Sequence, residues 1–266
     1  MTARLQLRHA LALGLLHGPT ELLPVSSSAH TALVPLLARW PYAELDPRFR
    51  KAFEVALHAG AGAALALEAR GELFGAVPHA NPADALLIAA SLAPPALAGL
   101  LFEPFIARRL SSRRAIATGL LAGSIAMLLA DRRPERRTRG DARAADWLAL
   151  GVAQAAALAP GVSRAGATLA AARLREFTRA DAQLLSQHAG IAVIAAAFVR
   201  EAPRLAGTRT TAGARRAYSL GAAGAFLSTI TSLRLRRRLL FSPPPLWPFA
   251  FYRLALAALI MRRRTR

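Results

Sequence analysis

Two stretches gather the residues that could do chemistry. "HGPTELLPVSSSAHTALV" (17–34) places Glu21, Ser26, Ser27 and His30 in an otherwise apolar region. "QAAALAPGVSRAGATLAAARL" (154–174) places Ser163 and Arg164 in another. Together they offer hydroxyls, an imidazole, a carboxylate and a guanidinium. That set suits a phosphate or pyrophosphate group, because a planar guanidinium fork matches phosphate oxygens. Ser27 as nucleophile with His30 as its base is one version of the chemistry. A phospho-intermediate on His30 is the other, and Glu21 then orients His30 or holds a cation. Ser27 and His30 are three residues apart and share a helix face.

The backbone around these residues has to break. Gly18-Pro19 and Pro24 disfavour one continuous helix from 10 to 38, so a new helix is expected near Ser26. Pro160-Gly161 does the same in the second stretch, with Ser163 as N-cap and Arg164 in the first turn. A helix N-terminus leaves N–H groups without intrahelical partners and favours anions. A cation in that first turn opposes the macrodipole unless an anion lies between them. The plainer account is that both serines only cap helices while Arg164 snorkels. It covers the serines, but not Glu21, His30 and Arg164 together, each costly in apolar surroundings.

The elements that carry these breaks are apolar. The 266 residues are 54% hydrophobic with mean hydropathy +0.32. Net charge is +20, and the arginines sit in short runs such as "ARRLSSRR" (107–114), "DRRPERRTRGDAR" (131–143), "LRLRRRLL" (233–240) and "RRRTR" (262–266). Nearly charge-free segments lie between them, the pattern of membrane spans with basic loops. That distribution, with no zinc-finger spacing and no cysteine, argues against a nucleic-acid partner. The apolar cores at 115–130 and 184–199 fall short of the roughly 20 residues an upright span needs, so flanking arginines must snorkel. A soluble alanine-rich helical protein is the alternative. Arg4 and Arg8 before the run at 10–16 resemble a secretory signal, but polar "HGPTE" follows with no small-residue cleavage site, so the segment is expected to stay.

Apolar helical stretches are expected at about 5–17, 26–38, 53–68, 84–106, 115–130, 145–159, 163–174, 184–199, 216–233 and 246–261, with no period-two alternation for strands. Residues 69–83 and 200–215 read as loops and "SPPPLWP" (242–248) as a breaker. A shift of 137 residues lays Val25-Ser26 on Val162-Ser163, His17 on Gln154 and Thr31 on Thr168, and "HAG" recurs at 58–60 and 188–190. A duplicated architecture is expected, repeat 1 about 1–130 and repeat 2 about 145–261, in one membrane domain spanning 1–266. Broken helices in duplicated membrane folds place a site where the repeats meet.

The motifs "HGPTELLPVSSSAH" and "PGVSRAGAT" resemble the two signatures of the BacA/UppP-type undecaprenyl-diphosphate phosphatases. "FEVALHAGAGAALAL" (53–67), "APPALAGLLF" (93–102) and "PFAFYRLALAALI" (248–260) are similar to further family segments in the same order. The resemblance implies an all-α, multi-pass protein of the bacterial plasma (inner) membrane, built from inverted repeats with two re-entrant helix hairpins. It implies removal of the terminal phosphate of the C55 isoprenyl diphosphate carrier of cell-wall synthesis, and a link to bacitracin resistance. By position, Glu21, Ser26, Ser27 and His30 match the first signature, and Ser163, Arg164, Gly166 and Thr168 the second. Catalysis then falls to Ser27, His30, Glu21 and Arg164, and substrate binding to Ser26, Ser163, Gly166 and Thr168.

The departures bear on the metal. The family's second Glu, four residues before Glu21, is His17 here; Ala29, Ala165 and His58 also replace family residues. The resemblance implies Mg²⁺ or Ca²⁺, with Glu21 and His17 as the ligands in this chain. Paired carboxylates would suit such hard ions, whereas one Glu and one His suit a softer ion better. His17 acting as a metal-free base, or as a hydrogen-bonded helix-face histidine, are the other readings. The rival function is a catalytically weakened membrane carrier or lipid-binding protein on the same scaffold. Orientation, lipid chain length and oligomeric state, a homodimer included, stay open.

Overall fold

Helical apolar spacing with proline and glycine punctuation produces a chain of helices. The computed structural model describes residues 4–75, 87–110, 112–206, 211–239 and 243–262. In chain order these are α1 (Leu7–Leu22), α2 (Ser27–Leu37), α3 (Pro47–Gly75), α4 (Ala93–Arg109) and α5 (Arg113–Asp131). A 3₁₀ turn (Arg139–Asp141) leads to α6 (Ala144–Ala156), α7 (Arg164–Leu174), α8 (Arg179–Ala206), α9 (Ala212–Leu239) and α10 (Trp247–Arg262). Among the described residues there is no strand, only an isolated bridge between Arg137 and Phe177. One described helix, α5, is long and apolar enough to cross a membrane.

The first break precedes Ser26 as expected, but the helix before it outruns its expected end at 17. α1 runs through Pro19 to Leu22, and the interruption falls at 23–26. Pro19 removes one backbone donor. The helix survives because its other face is docked on α9: a Cβ at Gly18 would lie 2.3 Å from Ser228 Oγ, and one at Gly14 would lie 2.3 Å from Gly221 O. Ser228 Oγ donates to Gly14 O at 3.1 Å. This small-xxx-small approach keeps His17 and Glu21 one turn apart on a single face. The loops expected at 69–83 and 200–215 are shorter than supposed, since α3 continues to Gly75, α8 to Ala206, and α9 starts at Ala212; 76–83 and 207–210 lie outside the described residues. Residues 243–246 do interrupt the chain before α10.

The chain divides into two compact units. The first comprises the described residues of Met1–Leu22, His30–His79 and Val193–Leu239. Here α9 packs along both α1 and α3, and Gly60 brings α3 against Ala222. Its core holds Leu13, Phe53, Leu57 and Ala225. The second comprises the described residues of Leu23–Ala29, Ala80–Ala192 and Leu240–Arg266. In it α5 packs on α7 and α10, and α6 on α4 and α7, around Met127, Trp147, Leu150, Leu169 and Phe177.

The two broken segments match in detail. Ser26 and Ser163 have φ of 76° and 67°, and Arg39 and Glu176 have φ of 57° and 66°, all in the left-handed region and each pair 137 residues apart. Ser26 Oγ accepts from Ala29 N–H at 3.4 Å, and Ser163 Oγ from Gly166 N–H at 3.2 Å. Beyond the helices, Trp40 N–H donates to Pro35 O at 2.8 Å and Phe177 N–H to Ala172 O at 3.3 Å, the 6→1 bond of a Schellman end.

Candidate functional site

Within the first unit, α1 carries His17 and Glu21 at i,i+4, and α3 carries His58. His17 Nε2 lies 3.9 Å and His58 Nε2 3.7 Å from Glu21 Oε2. One ligand atom from each of the three residues falls within 4.8 Å of the others. His17 and Glu21 are buried, and the two imidazole rings meet edge-on at 75° with centroids 4.6 Å apart. His58 Nδ1 is 2.8 Å from Glu54 O. A carbonyl only accepts, so Nδ1 is the donor there and Nε2 is the nitrogen that faces Glu21. His30, also buried, stands in the first turn of α2.

Within the second unit the two breaks are drawn together by a residue that the sequence reading passed over. Arg253, on α10, is fully buried. Its Nη1 donates to Pro24 O at 3.1 Å, in the first break. Its Nη2 donates to Gly161 O at 3.0 Å and Val162 O at 2.9 Å, in the second. Nε donates to Ser124 Oγ at 3.3 Å, which ties the guanidinium to α5. One cation therefore satisfies carbonyls that the interrupted helices leave behind. Small residues make room for it: a Cβ at Gly123 would lie 2.2 Å from Arg253 Nη2, and one at Gly166 would lie 3.1 Å from Nη1. The signal was legible, since Arg253 is a lone charge inside an apolar helix.

Around these breaks, Ser26 and Ser27 are buried at the start of α2 and Ser163 is buried as the cap of α7. Arg164 begins α7, and its guanidinium lies against α8, where a Cβ at Gly190 would come within 1.9 Å of Nη1. Thr168 Oγ1 donates to Arg164 O at 2.9 Å and sits 2.6 Å from Ser186 Oγ. Thr168 is wholly buried and fastens α7 to α8. Gly166 contributes space for Arg253 rather than a side chain.

Ion pairs tie the run 131–143 to the helices around it. Asp146 takes Arg137 at 3.0 and 2.7 Å and also pairs with Arg175. Arg179 meets Glu135 at 2.6 Å and Asp131 at 3.1 Å. Buried Arg173 donates to the carbonyls of Arg133 and Phe177. The Thr138 N–H and Oγ1 (2.8 and 3.0 Å) hold the Asp141 carboxyl below its ordinary range.

Residues 10–259 match the sequence profile of the family described as "Bacitracin resistance protein BacA". The chain is 36% identical to an "Undecaprenyl-diphosphatase" of Thioalkalivibrio sulfidiphilus, covering 97% of this chain and 98% of the relative. It is 34% identical to proteins of the same name from Geobacter sulfurreducens (97% and 98% covered) and Pelobacter propionicus (94% and 94% covered).

Proposed function

The chain belongs to the family of bacitracin resistance protein BacA, and from that premise we propose that it is a membrane phosphatase of undecaprenyl diphosphate. It transfers the terminal phosphoryl group to water, releasing undecaprenyl phosphate and inorganic phosphate. The carrier reading has no observation in its favour, and the similar proteins are named for the hydrolase.

The observation that carries the reading is the pair of strained, serine-capped helix starts whose preceding carbonyls converge on Arg253. With those carbonyls neutralised, the helix N-termini and the buried charge behind them favour an anion. Arg164 and the first N–H groups of α7 stabilise charge on the transferring phosphoryl. Ser27 and His30 supply the nucleophile and the acid–base group, and Glu21 orients an imidazole. Ser26, Ser163, Gly166 and Thr168 set the backbone that binds the diphosphate. In the direct route the water oxygen bonds to phosphorus as the P–O anhydride bond breaks, and His30 takes the proton. In the covalent route Ser27 Oγ or His30 attacks first, and water then frees the phosphate.

The matched geometry 137 residues apart supports a duplicated fold, repeat 1 about 1–130 and repeat 2 about 145–261, with the two breaks as re-entrant hairpins of inverted repeats. A multi-pass placement in the bacterial inner membrane is supported by α5 and by exposed Leu97, Leu100, Leu101, Phe102 and Phe105 on α4. Such apolar faces suit lipid tails.

The Mg²⁺ or Ca²⁺ implied by the family resemblance wants a shell of oxygens. The donors gathered at Glu21 are one carboxylate and two imidazoles, which is a poor fit, so no step is routed through such an ion.

Phosphate release from undecaprenyl diphosphate by the purified chain in detergent tests the proposal. His30→Ala should lower the rate by about 10²–10⁴-fold, the range for losing an acid–base group. A rate equal to that variant's background would remove the enzyme reading.

A further inference from the structure

The cluster on α1 and α3 is complete within the first unit, and its chemistry is its own. Two independent features point to a ligand there. The three donor atoms already converge, with 3.7 and 3.9 Å to Glu21 Oε2, where ligands about 2.0–2.1 Å from a tetrahedral ion would be about 3.3 Å apart. In addition, His17 is 1% exposed and neither of its ring nitrogens has a hydrogen-bond partner. A buried, unpartnered polar group is costly, so its presence calls for a compensating ligand. His58 is oriented as a metal-binding histidine commonly is: one nitrogen donates to a carbonyl, which leaves the other free for coordination. Its side chain is 42% exposed, which gives an ion a way in and leaves coordination positions for water or a phosphate oxygen.

We propose that His17, Glu21 and His58 bind one borderline divalent transition-metal ion of the zinc type. Imidazole nitrogen suits Zn²⁺ and its neighbours in the first transition row, whereas Mg²⁺ and Ca²⁺ prefer all-oxygen shells. Two histidines and one carboxylate with an open position form a known catalytic zinc set. The inference concerns the ion and does not rest on the phosphatase reading.

The test uses the untagged full chain in detergent, stripped with chelator and offered Zn²⁺ alone, or Mg²⁺ or Ca²⁺ in large excess. Metal retained per chain is counted by mass spectrometry after desalting, and Co²⁺ serves as a spectroscopic probe. One retained Zn²⁺ per chain is expected, with no retained Mg²⁺ or Ca²⁺ and with nitrogen-ligated Co²⁺ bands. His58→Gln should weaken Zn²⁺ binding by at least the 10–100-fold or so that loss of an outer-shell partner already costs. Zinc should raise the melting temperature of the wild type and leave that of His58→Gln unchanged, which separates lost binding from failed folding. His17→Glu should shift retention toward Mg²⁺ and Ca²⁺. His9→Gln, altering a histidine stacked on Trp40 outside the cluster, should keep the zinc. Three results would each overturn the proposal: no retained zinc in the wild type, equal retention of Mg²⁺, or equal zinc loss in His9→Gln.

Discussion

The segments at 23–30 and 160–168 have nearly the same backbone and opposite chemistry. Each places a serine at positive φ, lets its hydroxyl cap the third N–H beyond it, and ends its short helix with another left-handed residue and a Schellman bond. The first then continues into Ser27 and His30, and the second into Arg164 and Gly166. Strain at matched positions, where non-glycine residues resist it, makes the backbone shape the feature the two segments share. The side chains around it differ, and under the proposed mechanism they serve proton transfer in one and anion binding in the other. Arg253 is what the two have in common, since it reaches the carbonyls of both.

Removing that common support should have the largest effect. Arg253→Leu orphans buried carbonyls in both segments at about 1–3 kcal/mol each, so a collapse of folded yield and a steep fall in melting temperature are expected. Arg253→Lys, a point charge without a fork, should recover only part. Gly119→Ala should strike one segment alone: its Cβ would meet Pro160 O at 2.2 Å, and overpacking of this kind costs about 1–3 kcal/mol. If the melting loss after Gly119→Ala matched that of Arg253→Leu, the two segments would not be separable.

Ser26→Gly and Ser163→Gly sharpen the comparison further. Glycine relieves about 1–3 kcal/mol of backbone strain and gives up a few tenths as a cap. Both variants should melt at or above the wild type. If the hydroxyls only cap, phosphate release survives both changes; if they touch substrate, activity falls while stability rises. The smallest effect belongs to the helix ends. Arg39→Gly should stabilise by about 1 kcal/mol, and Glu176→Gly by less, because Glu176 also pairs with Arg136 at 3.3 Å. Equal gains would show that this pair contributes nothing.

Local chemistry was readable before the coordinates. Proline and glycine marked both interruptions, and serine marked both helix starts, because capping acts over three residues. Pro19 misled, since the docking of Gly14 and Gly18 on α9 outweighs a single lost backbone bond. His58 could be seen as a departure from the family pattern but not as a neighbour of Glu21, which lies 37 positions earlier. That proximity depends on how α1, α3 and α9 pack, and helical periodicity carries no such information. The arginines of 131–143 read as a basic loop, while Asp146 and Glu176 pair with two of them, Arg137 and Arg136.

A guanidinium enclosed by carbonyls has a further effect, on ionic strength. The exposed arginines of a chain with net charge +20 exert a field that dissolved ions damp within a Debye length of about 8 Å at physiological salt. Arg253 lies behind both breaks where solvent ions do not reach. If a diphosphate binds at these helix starts as proposed, the pull of Arg253 on it should therefore persist in brine that erases the attraction of the surface.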